Sequence, residues 1–348
     1  MDENIIQSLL ATLEEYHRLG IAEQIDYQKF YLYSIITHST AIEGSTVTEI
    51  ENQLLFDEGI AAKGRTMVEQ LMNLDLKAAY EEAMRMAPKH IPFSTEMLQG
   101  LSALVMKNTG SKYSTLSGTF DSSKGELRKV NVTAGTGGRS YLNFLKVPTR
   151  LADFCRNMNE RQEQLKDNND IIAQYALSFD AHNLLVAIHP WVDGNGRMSR
   201  LVMNYIQMEY GLVPTKVLKD DRAEYIQALV DSREQDSLEP FRDFMFRSHL
   251  RNLQQEIAAY KQSMEDNVTI PEVEPQHVVK DVVKDVVKDI LAILKARPES
   301  TAAIIANQVQ LSSRQVQRIL SRLQKEGSIV RHGGRKEGYW EVQTDKNK

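Results

Sequence analysis

Cysteine is almost absent. Cys155 is the only one in 348 residues, which excludes an intrachain disulfide or a cysteine-rich zinc site and fits a reducing compartment. Long apolar runs are missing too, with none approaching the ~20 residues needed to span a bilayer. The start, Met1-Asp2-Glu3-Asn4, lacks the basic-then-apolar pattern of a signal peptide. These absences predict a cytoplasmic protein with no membrane partner. Positive charge is not in excess either. With 42 Lys and Arg against 47 Asp and Glu, the net charge is -5, which argues against nucleic-acid binding along the whole chain but leaves room for one basic module. What is present is the balance of an ordinary globular protein, 42% hydrophobic and 26% charged, long enough for two or three domains.

Most of the sequence has helical spacing, with Pro and Gly between the periodic segments. The spacing predicts helices over 26–43, 64–85, 95–107, 148–166, 171–188 and 196–210. The first stops at Gly44, suited to a left-handed helix end. The fifth stops at His189 because Pro190 disfavours helix in the residue before it. Residues 125–147 read differently: Val130, Val132 and Tyr141 flank the turn 134–138, predicting a β-hairpin with a flexible tip. After about Met264, Pro271 and Pro275 mark a linker, followed by Val-Val-Lys-Asp three times between Val278 and Asp289. That unit is too short for a solenoid and suits a short amphipathic connector.

The tail has its own pattern. Ile290, Ile293 and Leu294 mark a helix ended by Pro298, and Thr301 can cap a second carrying Ile304 and Ile305. Ser312 or Ser313 caps a third with Val316, Ile319, Leu320 and Leu323 on one face. Strands at 328–331 and 339–342 follow, around a basic turn. Together these describe a winged helix. The predicted divisions are 1–90, 91–265, a linker at 266–288, and 289–345, in a mainly α chain ending in a small α+β module.

The segment 189–200, His-Pro-Trp-Val-Asp-Gly-Asn-Gly-Arg-Met-Ser-Arg, carries the chemistry. Gly194 and Gly196 let backbone approach a ligand, and the helix that follows offers unpaired N–H groups and a positive dipole end. Arg197 and Arg200 project from one face of its first turn, each a planar fork for phosphate oxygens. Asp193 is a hard oxygen ligand of the kind Mg²⁺ takes alongside substrate phosphates. His189 can act as a base near neutral pH. Asp-Gly-Asn-Gly alone is more often a plain turn, and a His beside Pro is usually structural. A calcium loop fails because Arg197 and Asn204 stand where acidic ligands are required. The conjunction points to a nucleotide-phosphate site.

At these residues the sequence resembles the signature of the Fic (filamentation induced by cAMP) family, His-Pro-Phe-x-Asp/Glu-Gly-Asn-Gly-x-x-x-Arg. It departs only by Trp191 for Phe, an apolar exchange expected to leave the chemistry untouched. The likeness runs from about Tyr31 to Phe246 and implies a Fic-type helical bundle with 125–147 as its β-hairpin flap. It also implies transfer of AMP from ATP to a Ser, Thr or Tyr hydroxyl of a target protein held by the flap through strand addition. On that resemblance His189 would take the hydroxyl proton and Asp193 would hold Mg²⁺. Gly194, Asn195 and Gly196 would cradle phosphate oxygens, Arg197 and Arg200 would bind the β/γ end, and Tyr225 would line the adenine pocket. His182 is expected to pack rather than react.

Ser39-Thr40-Ala41-Ile42-Glu43-Gly44 resembles the family's inhibitory motif, Ser/Thr-x-x-x-Glu-Gly/Asn. It implies that Glu43 pairs with Arg200 in the fork an ATP phosphate would use, with Ser39 and Gly44 completing the motif. Glu43 could instead orient a water for removal of AMP. In the winged helix seven Lys and Arg between Ser312 and Lys336, including Arg314, Arg318 and Arg335, face Glu326 alone, a net +6. That is a footprint for duplex DNA, although winged helices also dock proteins. An alternative reading is a nucleotide-sensing DNA-binding regulator. The donor nucleotide, the target and homo-oligomerisation stay open.

Overall fold

The structure is a computed structural model. It describes residues 3–134, 138, 140–166, 169–268, 288, 290–301, 304–305, 308, 316, 319–320, 323–324, 327–332 and 339–343. The chain divides into two compact units, one of residues 1–47 and 65–269, the other of 48–64 and 270–348.

The first unit is a helical bundle. In chain order it holds α1 (Glu3–Arg18), α2 (Tyr27–Ile42), then, after the segment 48–64 with α3 (Glu49–Gln53), α4 (Met67–Met86) and α5 (Thr95–Val105). The hairpin β1 (Lys112–Thr115) and β2 (Gly118–Asp121) follows, then α6 (Val147–Leu165), α7 (Ile171–Ile188), α8 (Asn195–Glu209), α9 (Arg222–Glu234) and α10 (Glu239–Val268). The predicted helices are observed to within about three residues at their ends, as fraying of helix boundaries allows. Their caps explain the limits. Thr66 and Glu69 form a reciprocal capping box on α4, and Asp170 accepts the Ala173 amide at 3.0 Å to start α7.

At the centre, α7 packs on α8, with α6 and α10 against α7. The absence of a membrane-length apolar run needs correction here. The 18 residues of α7 have a mean hydropathy of 1.3, enough in length and composition to cross a bilayer. It is a core helix, with Tyr175, Leu177, Phe179 and Leu185 wholly buried and the polar Ser178, Asp180 and His182 buried among them.

The strand pair of this unit precedes the expected hairpin. β1 and β2 pair antiparallel with Tyr113 opposite Phe120, their rings stacked 5.0 Å apart. Among its described residues the 125–147 flap is closed instead by the bridge Thr133–Ser140 and by the Tyr141 amide donating to Val132 O at 3.0 Å. Residues 135–137 and 139, at its tip, lie outside the described residues.

In the second unit, residues 290–296 are helical, and strands β3 (Ile329–His332) and β4 (Tyr339–Val342) pair antiparallel. The core contains Ile290, Leu294, Ile305, Val316, Ile319, Leu320, Leu323, Ile329 and Trp340, with Ile60 and Ile293 packed against it. The winged-helix face expected from spacing is therefore the buried one. The Val-Val-Lys-Asp connector (Lys288 apart) and the caps Ser312 and Ser313 lie outside the described residues, as do Arg314, Arg318 and Arg335.

Candidate active site

The site is built at the joint between α7 and α8. Helix α7 ends because His189 takes the left-handed conformation, φ 52°, ψ 63°, unusual for a residue with a side chain. Five residues later Gly194, at φ 79°, turns the chain into α8. Asn195, the first residue of α8, closes the loop, its side-chain amide donating to Trp191 O at 2.8 Å and its Oδ1 accepting the Trp191 amide at 3.1 Å. Both ends of that side chain serve loop shape. The Trp191 indole N–H, absent in the Phe of the family signature, donates to Gly125 O at 3.0 Å, so it ties the loop to the base of the flap.

His189 is largely enclosed. Burial pushes its pKa down to about 4, with the Arg128 charge assisting and the Val186 carbonyl, Asp193 and Glu43 opposing. Its Nδ1 is buried without a full hydrogen bond. The ring of Tyr141, from the flap, stacks on the imidazole at 3.7 Å between centroids and 14° between planes. Asp193 is at the rim with 66% of its side chain exposed, accepting the Gly194 amide at 2.6 Å. Among the described residues no group of three or more His, Cys, Asp or Glu could cage an ion by itself. A lone rim carboxylate suits Mg²⁺, which takes one or two carboxylates and completes its shell from phosphates and water.

Both arginines are buried. Arg197 is 3% exposed: its Nη atoms donate to Val105 O at 3.4 Å and Met106 Sδ at 3.2 Å, Nη2 is 3.8 Å from Asp193 Oδ1, and its Nε has no partner. Arg200 is fully engaged with α2. Its Nε donates to Ser39 Oγ at 2.8 Å, and its Nη2 donates to Ser39 O at 2.9 Å and to Glu43 Oε1 at 2.6 Å. Partial burial pushes the Glu43 carboxyl up, but Arg200, Arg197 and Arg222 outweigh it and hold the pKa below the usual range. The carboxylate lies over the first turn of α8, where a Cβ on Gly196 would meet Glu43 Oε1 at 2.3 Å. Gly44, at φ 102°, carries the chain away.

Tyr225 is 1% exposed. Its hydroxyl accepts from Arg200 Nη1 at 3.2 Å and meets His182 Nε2 at 2.9 Å. His182 stacks on Phe241, in keeping with the packing role expected for it. Three contributors escaped the sequence reading: Arg128, Tyr141 and Arg222, whose Nε donates to Ile42 O at 2.8 Å and so caps the end of α2.

Residues 92–207 match the family model for the Fic/DOC family, and residues 285–330 match one for winged helix-turn-helix DNA-binding modules. The chain carries a Fic/DOC-family domain. Similar curated proteins include protein adenylyltransferase fic-1 of Caenorhabditis elegans, 24% identical over 77% of this chain and 49% of its own length. Protein adenylyltransferase Fic of Drosophila persimilis is 27% identical over 70% and 45%. The chain thus spans less than half of either relative. Among solved structures, Fic-1 of C. elegans has a TM-score of 0.58 at 23% identity, covering 74% of this chain and 72% of that one. A Fic family protein from Desulfovibrio desulfuricans G20 covers 100% and 98% at a TM-score of 0.56 and 18% identity. Both show the fold.

Proposed function

We propose that this chain is a Fic-type protein adenylyltransferase held at low activity by Glu43, moving AMP from ATP to a Ser, Thr or Tyr hydroxyl of a target protein or of itself. The observation that carries this reading is the Glu43 carboxylate seated on Arg200 at 2.6 Å, over the start of a helix whose N–H groups and dipole favour an anion. A phosphate and a carboxylate compete for such a place, so ATP binds productively only when Glu43 yields it. The relatives named as adenylyltransferases support the donor.

In the reaction, neutral His189 accepts the proton of the attacking hydroxyl at Nε2, since Nδ1 is buried. The hydroxyl oxygen bonds to the α-phosphorus, the bond to the β-phosphate oxygen breaks, and pyrophosphate leaves with the electron pair. Arg197, with an unpaired Nε, and Arg200, once released, neutralise phosphate oxygens, and Gly194 and Gly196 allow close approach. Asp193 would hold Mg²⁺, which would supply charge neutralisation on the phosphates. The flap would present its edge to an extended segment of the target.

ATP labelled at the α-phosphate tests the reading. Label passes to protein with the wild type and is lost with His189→Ala; label persisting in that variant would remove His189 from its role. A parallel assay with labelled UTP checks the donor. Release of AMP from modified protein would reveal a hydrolytic second activity, with Glu43 orienting the water that attacks the α-phosphorus and frees the target hydroxyl. For the C-terminal module the match at 285–330 supports duplex DNA, and the test is binding that falls steeply with salt.

A further inference from the structure

We infer that Arg128 is a positioning residue that locks both arms of the flap to the backbone of His189, so that target strand and base keep one register. This rests on the reading of His189 as base and of 125–147 as the target-holding flap. Arg128 is 2% exposed. Its Nε donates to His189 O at 2.7 Å, its Nη1 to Val130 O at 2.8 Å, and its Nη2 to Leu142 O. Its own amide donates to Pro190 O at 3.1 Å. Val130 belongs to the ascending arm of the flap and Leu142 to the descending one. One guanidinium therefore joins the ascending arm, to which Arg128 itself belongs, to the descending arm and to the end of α7, 61 positions away.

A buried cation is costly, and this one is not offset by charge: desolvation lowers its pKa and no carboxylate is among the causes acting on it. A guanidinium fork donates to three carbonyls in fixed, planar directions, whereas a lysine ammonium offers its three donors from a single point on a flexible stem. Apolar packing could cover the flap more cheaply but would not fix its register. The held carbonyl also belongs to a residue in the left-handed region, a conformation that persists only when its surroundings over-determine it. Two neighbours repeat the tie. Tyr141, next to Leu142, stacks on the imidazole, and Trp191 Nε1 holds Gly125 O. A target strand laid along the flap is thereby aligned with the His189 ring through covalent neighbours of the same three carbonyls.

The test compares Arg128→Met, which removes fork and charge, with Arg128→Lys, which keeps the charge but not the planar fork, both in the Glu43→Gly background. Hydrogen exchange of the Tyr141 amide should speed up at least tenfold in both variants, while amides in the middle of α8 keep wild-type protection. Self-labelling from α-labelled ATP should fall tenfold or more in kcat with KM for ATP changed less than threefold. Besides burial and the Val186 carbonyl, the charged groups acting on the His189 ring are Arg128, Asp193 and Glu43, and Glu43 is already absent from the background. The His189 pKa, followed by NMR, should therefore rise in Arg128→Met above that in Arg128→Lys. Unchanged flap exchange and unchanged kcat in Arg128→Met would overturn the inference. If Arg128→Met does not fold, Arg128→Lys alone decides on the same two readouts. Failure of the transferase reading looks different, because no variant, including Glu43→Gly itself, would then label.

Discussion

Arg200 and Ser39 are joined twice: the Ser39 hydroxyl accepts from Nε at 2.8 Å and its carbonyl from Nη2 at 2.9 Å. Only the first of these bonds depends on the side chain. Ser39→Ala should therefore release part of the restraint, raising AMP transfer about two- to tenfold, the range expected for one net hydrogen bond. Initial rates with α-labelled ATP would check it, and no rise at all would mean that the hydroxyl does not contribute to holding Arg200.

The pH dependence follows from His189. Its pKa is lowered by burial from 6.5 to about 4, so the imidazole stays unprotonated through the neutral range and free to serve as the proposed base. Glu43 raises this pKa, so in Glu43→Gly protein the rate should fall on the acid side with a midpoint no higher than about pH 4. Stability runs the same way. The unfolded chain takes up this proton first, so the stabilisation is complete above about pH 6.5 and is lost as pH falls toward the folded pKa. A kinetic midpoint near 6.5 would show that the ring is solvated.

Trp191→Phe restores the residue of the family signature and removes the indole bond to Gly125 O from a side chain that is 0% exposed. The loss of one hydrogen bond and some ring volume should cost roughly 1–3 kcal/mol, lowering Tm by several degrees. A calorimetric scan that overlays the wild type would argue that this bond adds nothing.

Tyr225→Phe takes away the hydroxyl between Arg200 and His182, leaving His182 Nε2 buried without its partner. Stability should fall by about 1–3 kcal/mol, the usual cost of an unsatisfied buried group. KM for ATP should rise a few-fold as Arg200 loses an anchor. Double-variant measurements with His182→Phe would show the two effects coupled rather than additive.

The most legible part of this chain was the segment whose chemistry is contiguous. Residues 189–200 hold base, carboxylate, glycines and both arginines, and Pro190 and Gly194 fix the turn between two strongly patterned helices. The winged-helix face was equally clear, since Val316, Ile319, Leu320 and Leu323 repeat at helical spacing and are all buried. The β1–β2 hairpin was hidden because its strands hold only Tyr113 and Phe120 as large apolar residues, and these meet across the pair rather than alternating along it. Arg128 was hidden for a different reason: its partners are carbonyls, one of them 61 positions away, and carbonyls leave no trace in side-chain patterns. Asn195 was read from the resemblance as part of the phosphate cradle, and its side chain closes the Trp191 loop.

In the proposed resting state Glu43 holds Arg200 away from ATP. The charge-assisted bond between them is of a type worth about 1.5–3 kcal/mol, and the partial exposure of Glu43, with 36% of its side chain accessible, favours the low end of that range. The most direct measurement is the initial rate of α-labelled AMP incorporation by Glu43→Gly and wild-type protein at equal concentration. A rise of about tenfold or more, abolished by His189→Ala in the same background, is the predicted result. A Glu43→Gly protein that labels no faster than wild type, while binding ATP equally well, would contradict the account.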